Sequence, residues 1–374
     1  MSTRFTVQRL DGTRQSSFAR WYDKQPIVMN LFIGDSNFTG TNATWSDDML
    51  DMVPSSTVFK SGTTTGELGS SIYWGNWDTF AGTPGLGVAP ADPGATPPVI
   101  VGRNGIGTNT PPSGGGPFQR VRNDLGWASA AGTVTVDPMW SLSAHLQSWY
   151  QSHLSLDTAV PASEPAENNF NGDNPYGQYW LKHGLSGAGY ARKIVTRRYV
   201  GGGGADELQN RDNLSSLHPD AGDSIDWPVW SSITANIAAM KAQIAAIPTA
   251  NSFFDTVYLN AGSFDMGHFG GFQVVSNFKE FIESLAMAIG LPDGATPNVV
   301  MVEPLFGAYE PERIGANLQQ FERLKAQFKS AAFVNARDLA MDGSNHLSGK
   351  SVVELGARLA QARNALPDAV IYEI

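Results

Sequence analysis

Apolar runs and amphipathic patterns alternate along the last 145 residues of this 374-residue chain, and that alternation limits the folds it can adopt. In four segments apolar residues recur every three or four positions, which is the spacing of one helix face. Short apolar runs between these segments predict buried strands. The predicted helices cover 231–247, 276–289, 317–328 and 349–365, and the predicted strands cover 256–259, 299–303, 332–335 and 370–372.

A near-continuous apolar run at residues 26–33 predicts one more buried parallel strand, which ends in Gly34-Asp35-Ser36. Residues 133–136 predict a further short strand, and 142–155 are compatible with a helix. Alternating strands and helices imply a parallel sheet with helices on both faces. We therefore predict a three-layer α/β/α domain with a doubly wound, mostly parallel sheet.

The predicted domain covers residues 26–374 and carries long loop-rich insertions. Within residues 81–117, glycine and proline supply 18 of 37 positions, which disfavours any regular element. We place one insertion at about residues 80–228. Residues 1–25 are expected to form an N-terminal arm with no place in the sheet, which would make them a possible attachment segment.

Composition excludes several classes of protein. The chain has 25 basic and 35 acidic residues, a net charge of −10, so it is a poor match for a nucleic-acid backbone. It has no cysteine, which excludes disulfides, thiolate nucleophiles and zinc fingers. No apolar run is long enough to span a membrane, and no signal peptide is recognisable. We expect a cytoplasmic or virion-associated protein that needs no metal or organic cofactor.

Residues just after the predicted strands are the candidates for chemistry, because a doubly wound sheet binds ligands beyond the carboxyl ends of its strands. The first strand delivers Ser36, and the strand at 256–259 delivers the segment 260–265. A loop after the strand at 332–335 carries Asp338, Asp342 and His346. One serine, one histidine and nearby carboxylates together suggest the nucleophile, base and orienting acid of a serine hydrolase.

Two segments resemble a known family. Residues 33–40, IGDSNFTG, are similar to the first block of the SGNH/GDSL hydrolases, most of all to sialate O-acetylesterase-like carbohydrate esterases. Residues 342–362, DGSNHLSGKSVVELGARLAQA, resemble the last block of that family. The resemblance implies an SGNH-like fold, with Ser36 as nucleophile and its own N–H as an oxyanion donor, and with His346 as general base.

The same resemblance assigns Asp342 to orient His346, although the family spaces these residues by three and here they are four apart. The extra residue can be absorbed by the loop, or a backbone carbonyl can orient His346 instead. In the family's third block, Gly-x-Asn-Asp, Gly262 and Asp265 match, while Phe264 stands at the asparagine position.

Several residues are candidates for the donors that bind the oxyanion. The family supplies a glycine after its second conserved strand, whereas residues 137–143, which follow the predicted strand at 133–136, contain none. Asn37 and Asn260 are the alternative oxyanion or substrate-binding residues, and His268 is a further candidate.

The function that these residues favour is hydrolysis of O-acyl groups, typically acetyl, from a carbohydrate. The alternative is a weak or inactive SGNH-fold module of a phage-like particle, a head spike or tail fibre, that recognises host capsular polysaccharide. Phe264, the low charged fraction of 16% and the polar arm motivate that alternative. A cytoplasmic role on small acyl esters is a third option. Expected partners are an acylated glycan and, through self-association or virion-like assembly, other subunits.

Overall fold

The structure is a computed structural model that describes part of the chain. The described residues are 6–9, 14–16, 25–35, 37–38, 40, 42–54, 58–60, 65–68, 71–77, 119–121, 134–154, 177–184, 215–216, 227–228, 230–245, 250–260, 274–303, 319, 322–328, 330–342 and 346–374. The segments 81–117 and 261–265, which the sequence singles out, lie outside these residues.

Strands and helices alternate along the described chain. The strands are β1 (Thr6–Arg9), β2 (Arg14–Ser16), β3 (Gln25–Gly34), β4 (Val58–Lys60), β5 (Thr65–Leu68), β6 (Ser71–Trp77), β7 (Gln119–Arg120), β8 (Gly177–Gly184), β9 (Ser215–Ser216), β10 (Trp227–Pro228), β11 (Ala250–Asn260), β12 (Asn298–Val302), β13 (Ala331–Val334), β14 (Met341–Asp342), β15 (His346–Leu347) and β16 (Val370–Glu373). The α-helices are α1 (Pro138–Leu154), α2 (Trp230–Ala245), α3 (Val274–Ile289) and α4 (Gly349–Asn364), and Asp47–Met52 form a 3-10 helix.

Five parallel strands form the centre of the main sheet, in the spatial order β8-β3-β11-β12-β13. In chain order this is second, first, third, fourth and fifth, which is a doubly wound arrangement. The order reverses between β3 and β11, and ligand sites in such sheets lie at the reversal. Strand β6 extends the sheet in parallel beyond β8. The predicted fold class is confirmed.

Two hydrophobic clusters cover opposite faces of this sheet. Along β3, Ile27, Met29, Leu31 and Ile33 pack in the cluster that contains α2 and α3, whereas Val28 and Phe32 pack with α1 and α4. Alternate residues of a strand point to opposite faces, so a strand that is apolar on both faces is covered by helices on both. The apolar run at 26–33 therefore predicts the three-layer arrangement correctly.

The N-terminal segment is part of the sheet. Strand β1 pairs in parallel with β16, and β2 pairs antiparallel with β1. The expectation that residues 1–25 have no place in the sheet is therefore wrong. Strand β16 uses one edge to pair with β11 at Phe253 and Phe254, which leaves its other edge open for β1.

The middle of the chain differs from the sequence expectation in two ways. Within the described part of 133–136, only Thr135 makes a bridge, an isolated one to Thr44, so no strand forms there. The second strand of the parallel set is β8, and helix α1 packs against α4. Because β8 and α1 both belong to the core, the predicted insertion is not continuous from 80 to 228.

The predicted regular elements of the C-terminal half are present with small shifts in their ends. Strands β11, β12, β13 and β16 and helices α2, α3 and α4 each overlap the predicted segment within a few residues at either end, apart from β11, which begins six residues early. Within the predicted helix at 317–328, the described helical residues are 319 and 322–325.

A buried ion pair joins the sheet to the helices on one face. The Asp255 carboxylate accepts hydrogen bonds from Arg363 Nε at 2.8 Å and Nη2 at 2.7 Å, and from the Tyr150 hydroxyl at 2.5 Å. Asn298 donates to the same carboxylate at 3.1 Å. The Arg363 guanidinium also lies 4.1 Å from the ring centroid of Trp149. Strand β11, helix α1 and helix α4 thus share one fully buried polar cluster.

Replacing Arg363 with methionine should lower the free energy of unfolding by about 3–5 kcal/mol, because it leaves Asp255 buried without its charge partner. The matched control is Arg358→Met on the same helix. Arg358 pairs with the exposed carboxylates of Asp338 and Glu354, so its loss should cost about 1 kcal/mol or less. Urea unfolding measures both values, and equal losses would contradict this role of the buried pair.

Candidate active site

The first and third strands of the parallel set end side by side where the strand order reverses. Ile33 of β3 pairs with Leu259 of β11, so Gly34 and Asn260 are neighbours at the carboxyl ends. A Cβ added at Gly34 would lie 2.8 Å from the Asn260 Cβ and equally close to the Phe38 ring. Only glycine fits this position, and the close approach brings the turn after β3 against the end of β11.

The turn after β3 is tight and closely packed. The Phe38 N–H donates to the Asp35 carbonyl at 3.0 Å, and the Gly40 N–H donates to the Asn37 carbonyl at 3.3 Å. Phe38 stacks on Phe32 at 4.2 Å between ring centroids. Gly40 has a φ of +65°, and a Cβ there would lie 1.9 Å from the Val136 carbonyl oxygen. Ser36 itself lies outside the described residues.

Asp35 lies buried at the base of this turn. Its Oδ1 accepts a hydrogen bond from the Asn37 N–H at 2.9 Å and another from the side-chain amide of Asn260. Burial raises the pKa of the Asp35 carboxyl to about 6, and the Asn37 N–H opposes that rise. The sequence reasoning used Asp35 only as part of a motif and did not assign it a role.

Asn37 connects the turn to the last block of the sequence. Its side-chain Oδ1 accepts a hydrogen bond from the Leu347 N–H at 3.1 Å, across 310 positions of the chain. Both residues are buried. The side-chain oxygen of the predicted site residue Asn37 therefore binds the backbone of β15, the strand that carries His346.

Asp342 and His346 face each other across a short antiparallel pair. Strand β14 pairs with β15 in a register that sets Asp342 directly opposite His346. Directly opposed residues in such a pair have Cβ atoms about 5 Å apart. The spacing of four residues is therefore compatible with contact, because residues 343–345 form the connection between the two strands. The exposed Asp342 and the half-buried His346 are brought together.

The electrostatics of His346 follow from this environment. Burial lowers the pKa of the His346 imidazole below its usual 6.5, and the nearby Asp342 carboxylate opposes that fall. The imidazole is consequently neutral near pH 7, which is the form that accepts a proton.

Asp338, the other carboxylate of this loop, has a different partner. It accepts hydrogen bonds from Arg358 Nη1 at 2.7 Å and from Nη2 at 2.8 Å. This fork holds the pKa of the Asp338 carboxyl down at about 2. Asp338 is therefore paired with Arg358 of helix α4, and Asp342 is the acid that faces His346.

The segment 137–143, expected to follow the second strand, begins helix α1 instead. Asp137 accepts the Trp140 N–H at 3.2 Å, as helix-capping residues do, and forms a fully buried ion pair with Lys182 of β8. The assignment of residues 137–143 to the second block is wrong, because the second parallel strand is β8. That strand ends at Gly184, and residues 185–190, which include Gly187 and Gly189, follow it outside the described residues.

Four other candidate residues cannot be located. Gly262, Phe264, Asp265 and His268 all lie outside the described residues. Asn260 is described, and it donates a hydrogen bond from its side-chain amide to Asp35.

The sequence signal that could have revealed β8 is the apolar group Tyr-Trp-Leu at residues 179–181, which ends at Lys182.

No group of three or more histidines, aspartates and glutamates within the described residues is arranged to hold a metal ion. Among the described helices, none is both long and apolar enough to cross a membrane.

Solved structures of low sequence identity match the chain. NanS is 11% identical over 91% of this chain and 97% of its own, with a TM-score of 0.46. A protein from Arabidopsis thaliana is 12% identical over 90% and 98%, with a TM-score of 0.45. A carbohydrate acetylesterase from Xanthomonas citri is 11% identical over 90% and 55%, with a TM-score of 0.44. No family model and no curated protein matches.

The solved structures that match include carbohydrate acetylesterases, at low sequence identity. The chain has a three-layer α/β fold, with a parallel five-stranded sheet between helical layers.

Replacing Asp35 with asparagine should stabilise the protein at neutral pH. A carboxyl whose pKa is higher in the folded state lowers the free energy of unfolding as pH rises from the unfolded value, 3.8, to about 6. Asparagine removes this penalty, so its advantage over wild type should grow by about 2 kcal/mol between pH 4 and pH 8. Denaturant unfolding at both pH values measures it, and a constant difference would show that Asp35 is not held at a raised pKa.

Proposed function

We propose that the chain is an SGNH-type serine esterase that removes O-acyl groups, typically acetyl, from a carbohydrate. Ser36 would be the nucleophile and His346 the general base. The hydrogen bond from the Leu347 N–H to the Asn37 side chain supports this most directly. It joins the residue after Ser36 to the residue after His346, so the two candidate groups are carried by segments in contact.

The mechanism follows the usual course of serine hydrolysis. His346 takes the proton of the Ser36 hydroxyl as its oxygen attacks the ester carbonyl. The imidazolium then gives that proton to the leaving sugar oxygen, and an acyl-serine remains. Water, deprotonated by His346, releases the carboxylic acid and restores Ser36. Asp342, opposite His346, orients the ring and stabilises its charged form.

The proposed reaction also needs donors that bind the oxyanion. The Ser36 N–H is one donor by the family resemblance. Strands β8 and β11 end at the same edge of the sheet as β3. We infer that the other donors come from residues 185–190 and 261–265, which follow these two strands in the sequence. Gly262 and Asp265 remain proposed site residues on that ground, while the Asn260 amide donates to Asp35.

The carbohydrate and the acetyl group come from the resemblance of residues 33–40 and 342–362 to carbohydrate esterases. The alternative, a glycan-binding module of a phage-like particle, loses one of its motives, because β1 and β2 place parts of residues 1–25 in the sheet. A cytoplasmic or virion-associated location and self-association stay predictions.

Purified wild-type protein should hydrolyse 4-nitrophenyl acetate and release acetate from an acetylated sugar. Ser36→Ala and His346→Ala should each reduce kcat at least about 1,000-fold, because each removes a group that bonds to or exchanges protons with the substrate. The matched control is Ser46→Ala, since Ser46 is an exposed serine ten positions after Ser36 in the sequence and its loss should leave kcat unchanged.

Two outcomes would contradict the proposal. If the hydrolysis rate with wild-type protein equals the rate in buffer alone, the esterase proposal is wrong. Specific binding of an acetylated polysaccharide without turnover would then support the glycan-binding module. Hydrolysis that survives in Ser36→Ala would mean that another group is the nucleophile.

The pH dependence of kcat/KM tests the pairing of Asp342 with His346. Wild type should show an acidic limb below pH 6.5, because burial lowers the pKa of the base. Asp342→Asn removes the charge that opposes this fall, so the limb should move to lower pH while the maximal kcat drops roughly 10–100-fold. Asp338→Asn, which affects a carboxylate bound to Arg358, should change neither. An acidic limb that stays in place or moves to higher pH in Asp342→Asn would contradict the pairing.

A further inference from the structure

Two segments of the site, the turn after β3 and the end of β11, meet at one oxygen atom. Asp35 Oδ1 accepts the Asn37 N–H, on the far side of Ser36, and the side-chain amide of Asn260, at the end of β11. Asp35 is only 6% exposed and Asn260 is fully buried, so water does not compete for these bonds. Asn37 in turn accepts the N–H of Leu347. Two successive hydrogen bonds therefore lead from Asp35 to the strand of His346.

We propose that Asp35 is the positioning residue of this site, which fixes the turn that carries Ser36 against β11 and, through Asn37, against the strand that carries His346. This inference rests on the proposed function. Asp35 acts through its neighbours: it sets the distance between nucleophile and base.

The chemistry of the buried group argues for a role beyond stability. A carboxylate that is buried with only neutral donors is costly, and burial raises the pKa of Asp35 accordingly. By contrast, the buried Asp255 has Arg363 as a charged partner. A neutral asparagine would offer an oxygen at the same place at lower cost to stability, with weaker hydrogen bonds to the two donors. What the carboxylate adds is stronger hydrogen bonds to both donors, because a charged acceptor binds N–H groups more tightly.

The expected catalytic effect is a loss of rate and not of binding. Productive attack requires the reacting atoms within about 3–3.5 Å, and small displacements of a catalytic group cost large factors in rate. Asp35→Ala removes the acceptor and frees the turn, so kcat should fall at least about 30-fold while KM changes less than about threefold. Asp35→Asn keeps an oxygen at the same place and should retain at least about ten times the kcat of Asp35→Ala.

Amide hydrogen exchange supplies a readout that does not depend on catalysis. In Asp35→Ala the Asn37 and Leu347 amides should exchange at least about tenfold faster than in wild type, and in Asp35→Asn they should stay protected. The Val300 amide, in the core strand β12, should exchange slowly in all three proteins and shows that each is folded. Asp35→Ser, whose hydroxyl is too short to reach both donors, replaces Asp35→Ala if that variant does not fold.

The test combines kcat, KM and exchange for wild type, Asp35→Ala and Asp35→Asn, with 4-nitrophenyl acetate as the substrate. Lower kcat, constant KM, faster exchange at Asn37 and Leu347, and recovery in Asp35→Asn would support the inference. If wild type is active and Asp35→Ala has the same kcat as wild type, the inference is overturned and the esterase proposal stays intact. An equal loss of kcat in Asp35→Ala and Asp35→Asn would overturn the inference as well. An inactive wild type would overturn the proposed function itself.

Discussion

The hydrogen bonds of one buried carboxylate, that of Asp35, hold the candidate site together. It lies where two parallel strands end side by side, and its Oδ1 binds the turn after β3 and the amide at the end of β11. The Asn37 side chain extends this network to Leu347. Segments separated by more than 200 positions in the chain are thereby fixed at one edge of the sheet, which is what a nucleophile and a base on different segments require.

That network depends on close packing below it. Gly34 allows the turn to approach Asn260, and Gly40 allows it to approach Val136, because a Cβ at either position would overlap its neighbour. Deeper in the sheet, Asp255 and Arg363 link β11 to α1 and α4. The two buried acids differ in a way that separates their roles. Asp255 is paired with a charge, whereas Asp35 is held by amide donors, as is common where stability is traded for a functional arrangement.

The fold class could be predicted from the sequence where a strand or helix carries its own pattern. The run at 26–33 is apolar on both faces, and α4 repeats apolar residues at helical spacing, so both elements were predicted nearly to their ends. Strand β8 was missed because Lys182 interrupts a run of only three apolar residues. That lysine is tolerated in the core because Asp137 neutralises it, and a partner 45 positions away leaves no local signal.

The site shows the same division. The family resemblance pairs Asp342 with His346, and the antiparallel register sets the two residues opposite each other. The roles of Asp35 and of the Asn37 side chain could not be inferred, because their partners Asn260 and Leu347 are defined only by the folded sheet. Residues 1–25 were misplaced for a similar reason, since the open edge of β16 exists only after the C-terminal strand has paired with β11.

The central claim is that Ser36 is a nucleophile activated by His346. Reaction with a fluorophosphonate, followed by intact-mass measurement and peptide mapping, tests it most directly because covalent labelling reports the activated serine itself. Stoichiometric labelling of Ser36 in wild type, and labelling slowed at least about 100-fold in His346→Ala, is the predicted result. Absence of labelling at Ser36, or labelling that proceeds equally without His346, would contradict it.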